Sequence, residues 1–365
     1  MKKIVHIRWG EKIGGVETLL RGIAQYSDRK KFESIFIFLK GGQSHQKFIH
    51  EQNRKVITIP AKSGYDIVAR IRLFFIVRKL APDIIIEHGI PPLIRPIIKL
   101  AFRCPLLSYD HGCYELYKLK GKNFSNWLIG CEYLLCSNFI ITNSIYNKKT
   151  INNKYKISNN LIHVIYPGVD LSILNCNTKN YSQFHELKLA FVGRVQYSDK
   201  GSDFLAKICT ELLRQNFSNF KIEVFGSGPD ENHLIDEVKK LNIADFFRFN
   251  GEVNDISSSL NDVDIVIVTS RSEAFGLSAL EGLAKGCRVV CFDIGGLSES
   301  VGGCENAILI PPFNIDRMAW AIINFAKEEN SFQNKKIAHN YVKNNFSINT
   351  FVSMLDDFAS SKFNI

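Results

Sequence analysis

Two carboxylates eight residues apart, Glu273 and Glu281 in Ser272-Glu-Ala-Phe-Gly-Leu-Ser-Ala-Leu-Glu281, are the residues of this chain whose types and spacing speak most directly of chemistry. The apolar run from Asp264 to Thr269 reads as a buried strand, and residues from about 275 to 285 read as the helix that follows it. On that helix Leu277, Leu280 and Ala284 keep the i, i+3, i+7 spacing of a core stripe, and Glu281 takes the i+4 place. An ionised carboxyl there is costly unless donors surround it. Glu281 is therefore expected to bond a polar group or to face a ligand that supplies donors; a Glu on a solvated helix rim is the plain alternative.

Other candidates stand where strands end. Gly193-Arg194 closes one apolar run and Lys200-Gly201 opens the next helical segment, so one loop carries two cations suited to a diphosphate. Phe225-Gly226-Ser-Gly228-Pro229 marks another strand end, where glycines let a backbone or ligand come close and Pro suits a helix start. Gly14-Gly15 precedes a helix whose first N–H groups would suit a phosphate, although the pattern is no GxGxxG fingerprint. Glu87-His88-Gly89 and Asp110-His111-Gly112 place a histidine just past each of two strands, where an imidazole can bond a hydroxyl and carry a proton. Of the two, His111 is favoured. Gly295-Gly-Leu-Ser-Glu299 again joins glycines to a helix start. For each motif taken alone, a turn, a solvated cation or a structural histidine is an equally good reading.

The elements that must position these residues alternate. Strands are expected at 3–7, 34–39, 56–59, 83–87, 106–109, 139–142 and 164–166, and again at 187–192, 221–225, 246–249, 264–268, 289–292 and 307–310, with helical patterns between most of them. That is an α/β chain of two Rossmann-like, doubly wound parallel sheets in series, facing across a cleft, with ligands beyond the carboxyl ends of the strands. The expected division is residues 1–168, residues 169–345 and a final segment, 346–365, holding a helix from about 349 to 358 that crosses back to the first domain. The segment from Pro167 to Tyr181, rich in Asn, Pro and Gly, suits a linker.

Charge separates the two halves. Residues 1–170 hold 27 Lys and Arg against 12 Asp and Glu, whereas the remainder holds 19 against 24. Two acid-free stretches of the basic half, Ile67–Lys79 and Pro91–Arg103, mix cations with apolar residues, as helices lying on an anionic membrane surface do. An ordinary sheet-covering helix with a basic outer side fits as well. No nucleic-acid-binding signature accompanies the charge, and no apolar run approaches the roughly 20 residues of a membrane span. The nine cysteines, Cys113 among them, form no CxxC pair and no zinc-spaced cluster. Reduced, buried thiols of a cytoplasmic protein are expected, with peripheral attachment to the inner membrane face as an extension.

Taken together and in order, these residues resemble glycosyltransferase family 4, retaining enzymes of GT-B fold that use sugar nucleotides. The resemblance rests on Glu273 and Glu281 with Phe-Gly-Leu between them, preceded by Val-Gly-Arg194, Lys200-Gly and Phe-Gly-Ser-Gly-Pro, and followed by Gly-Gly-Leu-Ser-Glu299. It implies that the second domain binds the nucleotide and the first the acceptor. Glu281 would hold the ribose hydroxyls and Glu273 the donor sugar, with Gly226, Gly228, Val253, Ala274, Phe275, Gly276 and Leu277 lining the donor site. Arg194, Lys200 and Gly15 would stabilise charge growing on the diphosphate, and His111 would stand near the donor sugar and acceptor.

The resemblance further implies a nucleotide-diphosphate sugar, UDP- or GDP-linked, as donor substrate, with no cofactor and no metal. The acceptor would be a glycan, lipid-linked, in bacterial surface polysaccharide synthesis (O-antigen, lipopolysaccharide or capsule). The chain departs from the family in having five residues between Arg194 and Lys200 rather than four, and Asn306 where a Gly is common, a replacement the fold should survive because Asn tolerates a left-handed backbone. A sugar-nucleotide epimerase or phosphorylase on the same scaffold, or an inactive sugar-nucleotide-binding protein, are the alternatives.

Overall fold

A computed structural model describes residues 1–10, 14–40, 44–112, 123–174, 176, 186–253, 255–328 and 331–363. Of the expected linker, residues 175 and 177–181 lie outside the described residues, as does Cys113. The chain divides into two units, Met1–Gly168 with Ile348–Ile365, and Val169–Ser347.

The first unit is a seven-stranded parallel sheet, in the order β3-β2-β1-β4-β5-β6-β7. Its strands are β1 (Lys2–Arg8), β2 (Phe32–Phe38), β3 (Lys55–Thr58), β4 (Ile84–His88), β5 (Leu106–Asp110), β6 (Phe139–Thr142) and β7 (Ile162–Val164). β7 begins and ends two residues before the expected 164–166, its register with β6 running from Ile140↔Ile162 to Thr142↔Val164. Helices cover both faces, so β4 and β5 are buried along their whole length.

Alternation then sends neighbouring residues to opposite faces. Ile4, Ile84, Ile86 and Tyr109 pack against helices Gly15–Tyr26 and Ile348–Phe363, while Val5, Ile7, Ile85 and Leu106 pack against helices Ile67–Leu80 and Arg95–Ala101. The terminal helix runs longer than the expected 349–358. It buries Phe351, Val352 and Leu355, and Asp356 accepts from the Ser27 hydroxyl at 3.0 Å and the Asp28 N–H at 3.1 Å.

The second unit is a six-stranded parallel sheet, in the order β10-β9-β8-β11-β12-β13. Here the strands are β8 (Leu187–Val192), β9 (Phe220–Phe225), β10 (Phe247–Gly251), β11 (Ile265–Val268), β12 (Arg288–Phe292) and β13 (Ala307–Ile310). The runs Ile-Val-Ile-Val in β11 and Arg-Val-Val-Cys-Phe in β12 are buried throughout, the pattern of central parallel strands. Strand order reverses between β1 and β4 in one sheet and between β8 and β11 in the other. Loops leaving adjacent strands diverge there and leave room for a ligand.

Candidate functional site

At the switch point of the second unit, the loop after β8 and the loop after β11 are laced together. The N–H groups of Arg271 and Ser272 donate to the Asp199 carbonyl at 2.7 and 3.2 Å, and the Thr269 hydroxyl donates to the Lys200 carbonyl at 3.0 Å. Arg271 forks onto Asp203, with 2.7 Å between Nη2 and Oδ2. A short helix, Tyr197–Lys200, ends on left-handed Gly201, whose φ of +61° suits glycine.

These bonds hold Lys200 against Glu273. Nζ lies 2.7 Å from Oε2, and the same oxygen accepts from the Ser270 hydroxyl at 3.1 Å. Glu273 is buried. Burial alone would raise its carboxyl, but the Lys200 charge and the two side-chain hydrogen bonds overcome it and hold the group below the usual range.

Glu281 is different. Helix Leu277–Ala284 buries Ala279, Leu280, Gly282, Leu283 and Ala284, leaving Leu277, Ser278 and Glu281 half-buried on one strip. The expected core stripe is thus corrected at Leu277. Both flanks of this largely apolar helix are packed, so i and i+4 share its less covered side instead of the core. Burial pushes the Glu281 carboxyl up to about 7, with no opposing charge or hydrogen bond among the described residues. At the start of the same helix Gly276 is left-handed (φ +94°), and the first intrahelical bond is Ala279 N–H to the Gly276 carbonyl. The N–H groups of Leu277 and Ser278, which precede it, have no acceptor within the helix.

The other expected donor-site residues surround this strip or scaffold it. Arg194 is exposed, with no ion-pair partner among the described residues. Ala274 and Phe275 are buried, Phe275 edge-on to Phe346 at 5.4 Å, so only their backbones can serve a ligand. Val253 is half-buried just beyond β10. A side chain on Gly226 would overlap the Gly193 carbonyl, and one on Gly228 the Val195 carbonyl, so the glycines let the loops after β8 and β9 touch. Gly295 and Gly296 lie likewise on the carbonyls of Glu273 and Ala274, which ties the Gly-Gly-Leu motif to the backbone carrying Glu273.

At two positions the structure refines the sequence reading. Asn306 is not left-handed; it is buried and donates to the Asn334 carbonyl at 3.0 Å, so replacing Gly there asks nothing unusual of the backbone. Pro229 precedes the helix Glu231–Lys240 by two residues and does not open it.

The first unit gathers a second group at its own switch point. His111 lies just past β5, half-buried, with its ring stacked on Tyr109 at 4.2 Å. Asn143 donates to the His111 carbonyl at 3.1 Å, and the Gly112 N–H donates to Asp110 at 2.8 Å, so the backbone is held on both sides of the imidazole. His88 lies beside it, Nδ1 3.2 Å from His111 Nε2, and His6 stands behind His88, Nδ1 3.2 Å from His88 Nε2. Burial drives all three imidazoles below their ordinary value, His6 and His111 to about 3, with Arg8 adding to the effect at His88 and His111 and Arg54 at His6.

Arg8 donates to the His88 carbonyl at 2.8 Å and pairs with buried Glu17 at 3.0 Å, two residues beyond exposed Gly15 at the head of helix Gly15–Tyr26. Sequence reasoning missed His6, Arg8 and Glu17. The available signal was His6 and Arg8 alternating with the apolar Ile4, Val5 and Ile7 in β1. Among the described residues no group of three or more His, Cys, Asp or Glu side chains is arranged to hold a metal ion.

Known proteins resemble both halves of the chain. Residues 13–173 match the family described as Glycosyltransferase Family 4, and residues 179–346 match Glycosyl transferases group 1. Both halves of the chain are thus similar to glycosyltransferases, and its two parallel sheets have the GT-B arrangement of strands. The chain is 29% identical over 248 residues to an uncharacterized glycosyltransferase of Methanocaldococcus jannaschii, a match covering 64% of this chain and 62% of that protein. It is 27% identical over 316 residues to an uncharacterized glycosyltransferase of Haemophilus influenzae, covering 84% of each. The region matched thus spans less than two thirds of the archaeal relative.

Among solved structures, the chain shares its fold with Anabaena HepE in complex with UDP-glucose (TM-score 0.83, 18% identity, 99% of this chain and all of that one). It does so too with the lipopolysaccharide outer core galactosyltransferase WaaB in its apo form (TM-score 0.73, 16% identity, 99% of each chain).

Proposed function

We propose that this protein is a glycosyltransferase that moves a sugar, with retention of anomeric configuration and without a metal, from a UDP- or GDP-linked donor to a glycan acceptor carried on a lipid, in bacterial surface polysaccharide synthesis. One observation carries the reading. Two carboxylates at one switch point are prepared oppositely, Glu273 kept ionised against Lys200 and Glu281 left half-buried with no opposing charge. A ribose offers vicinal hydroxyl donors that satisfy an unpaired carboxylate, and a diphosphate offers anionic oxygens to Arg194 and to the open N–H groups of Leu277 and Ser278. Negative charge growing on the leaving diphosphate is met by cations and dipoles already in place, and losing one such donor costs about 3 kcal/mol of barrier. In the first unit His111 would hold the acceptor hydroxyl, neutral at pH 7.

The acceptor's lipid is supported by the outer face of the first unit. Helix Ile67–Leu80 exposes Ile67, Ile71 and Phe75 beside Arg72, Arg78 and Lys79. The neighbouring helices Arg95–Ala101 and Asn123–Cys136 add Leu100 (76% exposed) and Leu135 (83%). Among the described residues no helix is long and apolar enough to cross a membrane. A face of aliphatic and cationic residues suits the headgroup region of an anionic bilayer. Flotation with vesicles containing anionic lipid should show binding at low salt that fades at high salt; no binding at low salt removes this part of the proposal.

Incubation with a panel of nucleotide sugars, with and without lipid-linked acceptors and with chelator present, tests the reaction. Acceptor-dependent release of nucleotide diphosphate and an axial-to-axial product linkage by NMR are expected. Sugar conversion without any acceptor would instead indicate an epimerase.

A further inference from the structure

The three histidines at the switch point of the first unit are joined in one sense. His6 offers Nδ1 to Nε2 of His88, and His88 offers Nδ1 to Nε2 of His111, each at 3.2 Å. A neutral imidazole has one N–H and one lone pair, so each contact needs an N–H on one side and a lone pair on the other. If His6 donates, His88 must carry its proton on Nδ1, and His111, accepting at Nε2, must carry its own on Nδ1. If His111 donates from Nε2, then His88 and His6 are protonated on Nε2 as well. A mixed arrangement leaves two N–H groups or two lone pairs face to face in a buried site, a costly defect.

Rings and charges around the chain keep this strict. His6 stacks on Phe36 at 4.9 Å and His111 on Tyr109 at 4.2 Å, which restrains the ring planes. The cations facing the group, Arg8 beside His88 and His111 and Arg54 beside His6, oppose adding a proton to any ring, while the acids Glu17, Glu87 and Asp110 are engaged by Arg8, Arg95 and Tyr133.

We infer that His6, His88 and His111 share a single tautomer and exchange it only together, and that His6 and His88 are positioning residues that set whether Nδ1 of His111 donates or accepts. The functional half of this inference rests on His111 serving the acceptor as proposed above; the tautomer rule does not.

The test uses the full-length, 15N-labelled protein, with imidazole signals assigned through His6→Gln, His88→Gln and His111→Gln. Long-range 1H–15N spectra between pH 6 and 8 should show the three rings neutral with one common tautomer. One ring of opposite tautomer, or one charged at pH 7, overturns the inference. His88→Phe keeps the ring's bulk and removes both nitrogens; it should release the His111 tautomer and lower kcat for transfer about tenfold with donor KM unchanged. His88→Gln, which can still donate and accept, should stay within about threefold of wild type. Equal losses in the two variants, or an unchanged His111 spectrum in His88→Phe, contradict the positioning role. Should His88→Phe not fold, His6→Phe against His6→Gln carries the same expectations from the far end. Absence of transfer by the wild-type protein refutes the proposed function and leaves the spectra to decide the tautomer rule alone.

Discussion

Replacing Glu281 by Gln should make the unliganded protein more stable while weakening its grip on nucleotide. Burial raises this carboxyl from 4.5 to about 7, with nothing among the described residues to offset it. The folded state then holds the proton to higher pH than the unfolded chain does, so the cost of ionising Glu281 is absent below about pH 4.5, grows between 4.5 and 7, and is complete above 7. That gap corresponds to at most about 3 kcal/mol. Glu281 is half-buried, and solvent screening reduces the figure to about 2 kcal/mol.

Glu281→Gln keeps size and hydrogen-bonding shape without the charge. For a domain of this size about 2 kcal/mol is roughly 4–8 °C in melting temperature. Thermal melts of wild type and variant from pH 5 to pH 8.5 should coincide at the acid end and separate by that amount at pH 8, the variant higher. Saturating UDP or GDP should reverse the order, since ligand at a hundred times Kd adds about 2.7 kcal/mol only to the protein that binds it. Equal melting at pH 8, or a wild type more stable without ligand, would refute the claim that an unsatisfied carboxylate stands in this site.

Other outcomes follow from the same geometry. Lys200→Met leaves Glu273 buried with the Ser270 hydroxyl as its remaining side-chain donor; a loss of about 3 kcal/mol is expected at pH 7. Because the pair lowers the Glu273 carboxyl, that difference should be full above about pH 4.5 and fade on further acidification, as denaturant titrations at pH 3 and pH 7 can show. Arg194→Ala removes an exposed side chain, so its melting temperature should stay within about 1 °C of wild type while transfer falls roughly a hundredfold; retained turnover argues against a diphosphate contact. Gly226→Ala meets both a φ of +132° and the Gly193 carbonyl, and should destabilise by more than about 2 kcal/mol in urea titrations. Donor affinity of the wild type should weaken as pH drops below 7, where Glu281 gains its proton and can no longer accept from two hydroxyls.

Much of the fold could be read from the chain because central parallel strands advertise themselves. Ile84–Ile86 and Ile265–Val268 are short, β-branched and bounded by polar residues, and such runs fit only a sheet covered on both faces. The helix carrying Glu281 was legible too, but its facing was not. With Ala279, Leu280, Gly282, Leu283 and Ala284 all buried, spacing alone gives no single apolar stripe, and Leu277 was assigned to the wrong side. The Lys200–Glu273 pair joins residues 73 apart and depends on backbone bonds from Arg271 and Ser272 to Asp199, which no local pattern encodes. The histidine chain was invisible for a similar reason. His6 and His88 lie in two strands and His111 just past a third, and only the order β1-β4-β5 with its register brings them side by side.

The most direct measurement is a crystal structure with UDP or GDP bound. The ribose hydroxyls should lie within 3.2 Å of the Glu281 carboxylate, with the diphosphate on Arg194 and the N–H groups that open the helix at Leu277. Nucleotide bound elsewhere, with Glu281 turned to bulk water, would contradict the account at its centre.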